Sequence, residues 1–399
     1  MAKAKKDDII DESSSNAIDT KDFFNDILEE TKEDHFNYIV PKNSIVSSGS
    51  LKIDAVAKFR SGSIIRLCGA GAELGKTSQA FVFAENFMKT FPKSKTLYIK
   101  AEARLTPEMR KRVGLNFVST AQEWNYGTVF VWSVNFFETI ASSIEKLLPK
   151  MHAAGEQLCI IWDSLDNTIL KTDAQKDVWG NESVKVAGVP VLTKLLFKRL
   201  GLPVVHYDAF FMVTSQYSAA IKTDPYAKDV PRQVEGSGGS SIGHQSDYVL
   251  YYHPRYNGDY ILENDKEKPD AIKNKTLGVF ANVEFRKSST DITGLKVRVP
   301  IRKGRIGPAI WKEKEVVDLA LGYEQLARSG AWCKFTEDII AQAKKDGIEI
   351  KQQHQGLNGV YQYVEDNPEI CEWLYDNFMK LLNTDVLDKV VEKEEANVS

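Results

Sequence analysis

No apolar run in this 399-residue chain approaches the roughly 18 residues that a membrane-crossing helix needs, so no bilayer span is expected. The start, Met1-Ala2-Lys3-Ala4-Lys5-Lys6-Asp7-Asp8, lacks the apolar core of a secretory leader, and a cytoplasmic protein is the expectation. Cysteine is scarce. Only Cys68, Cys159, Cys333 and Cys371 occur, scattered, two of them in apolar runs that read as core strands. That excludes a disulfide frame and indicates reduced thiols. No Cys or His pair stands at ligand spacing, so a zinc-type site is not expected. Positive charge is not in surplus either: 52 Lys and Arg against 55 Asp and Glu give a net charge of −3. This argues against binding nucleic acid by bulk electrostatics, but not against a local basic surface. No internal repeat or coiled coil is evident.

What is present suits a packed α/β protein. Hydrophobic residues make up 43% and charged residues 27%, enough for one large domain with smaller flanking pieces. Residues 1–20 are charged and serine-rich and read as disordered. Thr20–Glu30 opens with a possible cap and places Phe23, Phe24, Ile27 and Leu28 on one helical face. From 45 to 325, strand-like and helix-like segments alternate, which implies a mainly parallel sheet with helices on both sides. Two polar stretches inside it, Lys171–Val186 and Tyr217–His244, read as long loops leaving the carboxyl edge of the sheet. From about residue 330 a strand-like Gly330–Phe335 precedes helical runs Thr336–Lys345 and Gln362–Leu382. The expected organisation is therefore 1–44 (N-terminal segment and helix), 45–325 (core), 326–385 (small α+β cap) and 386–399 (acidic tail).

One run carries most of the chemistry. The apolar stretch Ser63-Ile64-Ile65-Arg66-Leu67 leads into Cys68-Gly69-Ala70-Gly71-Ala72-Glu73-Leu74-Gly75-Lys76-Thr77, and a helix-like Ser78–Ala84 follows. A strand, a glycine-rich turn and Gly-Lys-Thr at a helix start form a phosphate-cradling loop, with backbone N–H groups aimed at a polyphosphate. Gly69 through Ser78 would hold the nucleotide, Lys76 would reach its β- and γ-phosphates, and the Thr77 hydroxyl would ligate Mg²⁺. Ala70 stands where glycine is usual. Two strand-like runs end in acids, Cys159–Asp163 and Lys95–Glu102. At the carboxyl edge of a parallel sheet, Asp163 would hold the Mg²⁺ water shell. Glu102 would orient or deprotonate a water for attack on the γ-phosphate.

Around these residues the chain resembles the RecA-family DNA recombinases, and among them the phage UvsX type. Ile45–Asp54 resembles the family's "STGSLxLD" segment, and Tyr98–Pro107 with Val113-Gly114-Leu115 its "DAExxLDPxxxxxLGV" segment. Ile161–Leu165 resembles "VVDSVAAL", Val213-Thr214-Ser215-Gln216 the "INQ" strand end, and Glu235–Ser240 the "TTTGGNA" DNA-binding loop. Similarity continues through Ser329–Trp332 and Val364–Glu369, and so spans most of 40–385.

The resemblance implies a RecA-like phosphate-loop ATPase core, with ATP and Mg²⁺ as cofactors and Glu102, Lys76 and Gln216 as catalytic residues. Gln216 would sense the γ-phosphate and pass its presence to the loop 217–244. In that loop Lys222, Lys228, Arg232 and the backbone of Gly236, Ser237, Gly238, Gly239 and Ser240 would contact DNA. Adenine contacts fall on Thr106 and Met109. Cations that reach ATP across a subunit interface fall on Arg286 and Lys287, with Phe285 where the family has the first cation. Lys100 replaces an acid two residues before Glu102. The partners implied are single-stranded DNA, homologous double-stranded DNA, further copies in a helical filament, single-strand-binding proteins and loaders. A bacterial cytoplasm, with a phage gene as one source, is the implied location. The N-terminal helix would dock on the neighbouring subunit or on its own core. The basic cluster Lys296, Arg298, Arg302, Lys303, Arg305, Lys312 and Lys314 reads equally as a DNA-facing patch or a solvated hairpin. Two other functions share these motifs: a hexameric helicase-type motor, and a nucleotide-binding accessory protein with weak hydrolysis.

Overall fold

The computed structural model describes residues 20–32, 36, 44–69, 71, 73–102, 105–176, 188–219, 233–235, 239–264, 267–270, 272–304 and 306–382. It divides into two units, Met1–Val40 and Pro41–Ser399. The first holds α1 (Thr20–Glu30), the helix expected from its amphipathic pattern, on which Phe24 is exposed. The segment 1–19 and the tail 386–399 lie outside the described residues.

The second unit begins with α2 (Leu51–Val56), β1 (Ile64–Gly69), α3 (Lys76–Thr90), β2 (Ser94–Lys100), α4 (Pro107–Val113), β3 (Asn116–Val118) and β4 (Thr128–Ser133). There follow α5 (Phe137–Ala153), β5 (Gln157–Asp163), α6 (Lys171–Ala174), α7 (Gly188–His206), β6 (Phe210–Ala219), β7 (Gln233–Glu235), α8 (Gly239–Gln245) and β8 (Tyr248–Tyr252). β9 (Tyr260–Leu262), β10 (Thr276–Lys287), β11 (Lys296–Arg302) and α9 (Lys312–Gly322) complete the large sheet and its margin. The C-terminal part adds β12 (Leu326–Ser329), β13 (Trp332–Phe335), α10 (Glu337–Lys345), β14 (Gln353–Gln355), α11 (Gly356–Asp366) and α12 over 368–382.

The main sheet runs β11-β10-β8-β1-β6-β5-β2-β4-β3. From β8 to β3 every pair is parallel, and β10 and β11 close that edge antiparallel. β1 is buried at all six positions, as a strand covered on both faces must be. On one face Phe81, Phe83 and Phe87 of α3 pack with Phe59, Tyr98 and Phe210. On the other, Ile140 and Ile144 of α5 and Leu196, Phe197 and Leu200 of α7 cover Ile160, Trp162 and Phe211. Each such side chain, withdrawn from water, stabilises the fold by about 1.5–3 kcal/mol. The expected α/β core with a mainly parallel sheet and a small C-terminal α+β piece is the architecture observed. All four cysteines are buried, and none forms a disulfide. No helix among the described residues is long and apolar enough to cross a membrane.

Two local expectations are corrected, and a third reading is narrowed. The run Gln362–Leu382 is two helices, because Pro368 disfavours helical geometry at Asn367, which lies at φ −128° and ψ 79°. The polar stretch Tyr217–His244 is not all loop. β6 extends to Ala219, β7 pairs back on it with Glu235 beside Tyr217, and Gly239–Gln245 is helical. Glycine and serine form helices poorly, but Ile242 is fully buried against the α7 side of the core, and that packing overrides propensity. The basic cluster, finally, is partly engaged within the molecule. Arg302 donates to Glu365 and to the Leu277 carbonyl, Lys312 to Glu372, Lys314 to Asp318 and Tyr361, and Arg298 to Asp259. Arg302 on β11 and Lys312 and Lys314 on α9 thereby reach α11 and α12, Arg298 reaches the turn before β9, Lys296 and Lys303 are exposed, and Arg305 lies outside the described residues.

Two buried acids join the same parts. Glu315 accepts from the Ser50 hydroxyl and the Leu51 N–H, both at 2.7 Å, and Asp54 accepts from Ser48 N and from Tyr375 Oη on α12. Burial pushes Glu315 up to about 7 from an ordinary value of 4.5, and it raises Asp54 against its own hydrogen bonds. A carboxyl raised in the fold favours the protonated state. Its stability contribution is therefore complete below pH 4.5 and lost as the pH rises through about 7. The slope from this one group is at most about 1.4 kcal/mol per pH unit. Glu315→Gln keeps an acceptor for Leu51 and removes the titration. Urea unfolding from pH 5 to 8 should show a flatter stability profile for the variant than for the parent.

Candidate functional site

The crevice forms at the carboxyl edge of four parallel strands, three of which end there while β6 runs on. The registers Gly69 beside Gln216 and Lys100 beside Asp163 place the ends of β1, β6, β5 and β2 along one edge. β1 delivers the chain into the glycine-rich turn, and α3 begins at Lys76. Gly75 caps that helix at φ 105°, a left-handed geometry, and a Cβ there would lie 2.6 Å from Ile301 Cδ1. A Cβ on Gly69 would meet the Tyr252 carbonyl at 2.6 Å, so the turn is too tight for a side chain there. Gly75 also offers no side chain to the first N–H groups of α3, which leaves them for an anion. Glu73 is left-handed as well, and the Arg255 guanidinium donates to its carbonyl. Ala70 and Ala72 lie outside the described residues.

Lys76 is folded back on the turn, its Nζ donating to the Gly71 carbonyl at 2.7 Å. Burial lowers its pKa, while Asp163, Asp166 and Glu102 act on it in the opposite sense. One lysine thus faces three acids, a balance that would repel a bare polyphosphate and calls for a divalent cation.

The side chains for that cation are in place. Thr77 Oγ1 donates to Asp163 Oδ2 at 3.0 Å. Asp163, at the end of β5 and almost fully buried, also accepts from Tyr98 Oη at 3.0 Å and Thr214 Oγ1 at 2.5 Å. Its carboxylate is fixed by three hydroxyls from α3, β2 and β6. Such a fixed acid suits holding the threonine and the waters of a Mg²⁺ ion, and the residues fit this ion. The Asp163–Ser164 peptide is cis.

Glu102 follows β2, and its N–H donates to the Asp163 carbonyl at 3.2 Å. It is close enough to act on both Lys76 and Tyr98. Gln216 is exposed at the same edge, and its N–H donates to Asp166 Oδ2 at 2.6 Å. Lys76, Thr77, Asp163, Glu102 and Gln216, expected from sequence, therefore converge. Thr106 caps α4 by accepting from Met109 N at 3.3 Å. Arg286 stacks over the rings of Tyr251, 3.5 Å from the centroid, and Tyr217, 4.9 Å away. Lys287 donates to the His244 carbonyl at the end of α8, at 2.6 Å. Phe285 is wholly buried, which explains why no cation stands there. Gly239 and Ser240 open α8, whereas Lys222, Lys228, Arg232, Gly236, Ser237 and Gly238 lie outside the described residues.

Sequence reasoning missed four residues. Tyr98 and Thr214 orient Asp163. Arg66, buried within β1, donates to Ser215 Oγ at 2.9 Å. Asp166 is the fourth, and burial pushes it up to about 6. Its only signal was a departure: the family segment "VVDSVAAL" has alanine three places after the aspartate.

No family model matches the chain. The RecA protein of Malacoplasma penetrans (strain HF-2) is 28% identical over 119 residues, which cover 27% of this chain and 31% of that protein. The RecA protein of Petrotoga mobilis is 30% identical over 108 residues, 26% of this chain and 27% of that protein. The chain thus matches these relatives over less than a third of their length. The crystal structure of the RadB recombinase overlays 67% of this chain and 98% of its own, with a TM-score of 0.40 and 12% identity.

Proposed function

We propose that this protein is an ATP-dependent DNA recombinase of the RecA type, nearest the UvsX-like recombinases. It assembles on single-stranded DNA as a filament and exchanges strands with a homologous duplex. The observation that carries the reading is the crevice itself: a lysine and a threonine at a helix start, a fixed aspartate, and Glu102 and Gln216 at the edge of one parallel sheet. That set matches ATP hydrolysis with Mg²⁺, and the partial similarity to two RecA proteins supports recombination as its use. Thr77 and Asp163 hold the Mg²⁺, which neutralises phosphate charge when bound. Lys76 leaves the Gly71 carbonyl for the phosphates. Glu102 accepts the proton of the attacking water, and Gln216 meets the γ-phosphate. Thr106 and Met109 border the base. Arg286 and Lys287 serve a neighbouring subunit's ATP. Because Gln216 is three residues from the end of β6, its position is passed directly to the segment that follows, coupling nucleotide to DNA affinity.

Steady-state ATP turnover with and without single-stranded DNA tests this reading. Turnover that rises with DNA is expected, and turnover indifferent to DNA would favour a nucleotide-binding accessory protein. The DNA path has its own test. Replacing Lys222, Lys228 and Arg232 together by alanine should make binding to single strands less salt-dependent, by about 0.7 in log–log slope per lost phosphate contact and up to about two in all. Arg302→Ala should leave that slope unchanged, because its guanidinium already serves Glu365 and Leu277. A slope that moves only with Arg302 would shift the DNA path to β11.

A further inference from the structure

Strand β6 outruns its neighbour. β5 and β6 pair only as far as Trp162 beside Val213, and β5 stops at Asp163, while β6 continues to Ala219. Beyond the ladder, a side chain meets the Gln216 N–H: Asp166 Oδ2, at 2.6 Å. Asp166 sits in the single turn Leu165–Asn167 by which the chain leaves the sheet edge. Its carboxylate thus occupies the place of the strand carbonyl that β5 no longer supplies. A charged acceptor makes this bond stronger than the ladder bond it replaces. On its other side Gln216 pairs with Gly69, the last residue of β1 before the phosphate loop.

Charge links the same residues. Arg66 and, more weakly, Lys76 act on Asp166, and the Arg66 guanidinium lies 5.4 Å from the centroid of the Tyr217 ring. The loop lysine, the acid and the end of β6 therefore form one electrostatic group. Any anion that takes Lys76 away from Asp166 weakens the attraction holding that acid in the crevice. A γ-phosphate does this and adds like charge as well, whereas a diphosphate adds less.

We propose that Asp166 is a positioning residue that holds β6 at Gln216 in the absence of a γ-phosphate, and that its negative charge sets how strongly the site prefers a nucleoside triphosphate to a diphosphate. The proposal rests on the nucleotide reading above and adds the residue through which occupancy reaches β6. With a triphosphate bound, the Gln216 N–H exchanges the carboxylate for a new position.

Two variants separate the hydrogen bond from the charge. Asp166→Asn keeps a carbonyl oxygen for the Gln216 N–H and removes the charge, and Asp166→Ala removes both. Affinities for ADP and for a non-hydrolysable ATP analogue, with kcat and KM, are measured near pH 8, above the value of about 6 for this acid. For Asp166→Asn we expect the triphosphate-to-diphosphate affinity ratio to rise about fivefold or more. For Asp166→Ala we expect the same rise in the ratio together with a loss of stimulation by single-stranded DNA, which the asparagine variant retains. A parent that binds both nucleotides while both variants keep its ratio would overturn the role of Asp166 and leave the nucleotide reading standing. A parent that binds neither nucleotide would overturn both.

Discussion

Lys76→Ala is expected to lose ATP hydrolysis by at least about a hundredfold, the usual scale for removing a group that stabilises developing phosphate charge. The fold should be untouched. In the structure the ammonium group donates to the Gly71 carbonyl of the turn itself. A thermal unfolding midpoint within a few degrees of the parent, about 1 kcal/mol or less, would accompany the loss of turnover. Lys76 also faces Asp163, Asp166 and Glu102. Its removal leaves three acids to repel the polyphosphate, so nucleotide affinity should fall along with kcat. Hydrolysis at the parent rate would mean that the turn 69–77 is a structural bend.

Glu102→Gln should behave differently. The amide keeps the shape and can still form hydrogen bonds, but it cannot take a proton from water. Turnover is expected to fall by about 10²–10⁴, with ATP and DNA affinity kept. Complexes on DNA should then last longer, because the step that dismantles them is blocked. Single-turnover kinetics with a parallel filter-binding measurement would show this split. Lost affinity with an unchanged turnover number would assign Glu102 to holding the Asp163 backbone, which its N–H also contacts.

The parts of the fold and site that could be read in the sequence are those that depend on local pattern. Ile64–Gly69 followed by a glycine turn and Gly-Lys-Thr announces strand, loop and helix without any tertiary information. An acid at the end of Cys159–Asp163 announces its place at the carboxyl edge once the sheet is parallel. What could not be read depends on strand order. Tyr98 and Thr214 reach Asp163 because β2 and β6 flank β5, and nothing in either local sequence says so. Asp166 meets Gln216 because β6 is longer than β5, a difference between segments 50 residues apart. Charge counted along the chain likewise does not show that Glu365 and Glu372 wait on other elements for Arg302 and Lys312. Pro368 was readable, and residue periodicity alone, which ran through it, was the wrong guide.

The most direct test of the recombinase reading is electron microscopy of the protein on single-stranded DNA with Mg²⁺ and a non-hydrolysable ATP analogue. Under that reading, open helical filaments that require the nucleotide and are absent with Lys76→Ala are expected. Closed rings, or filaments that form equally well without nucleotide, would contradict it.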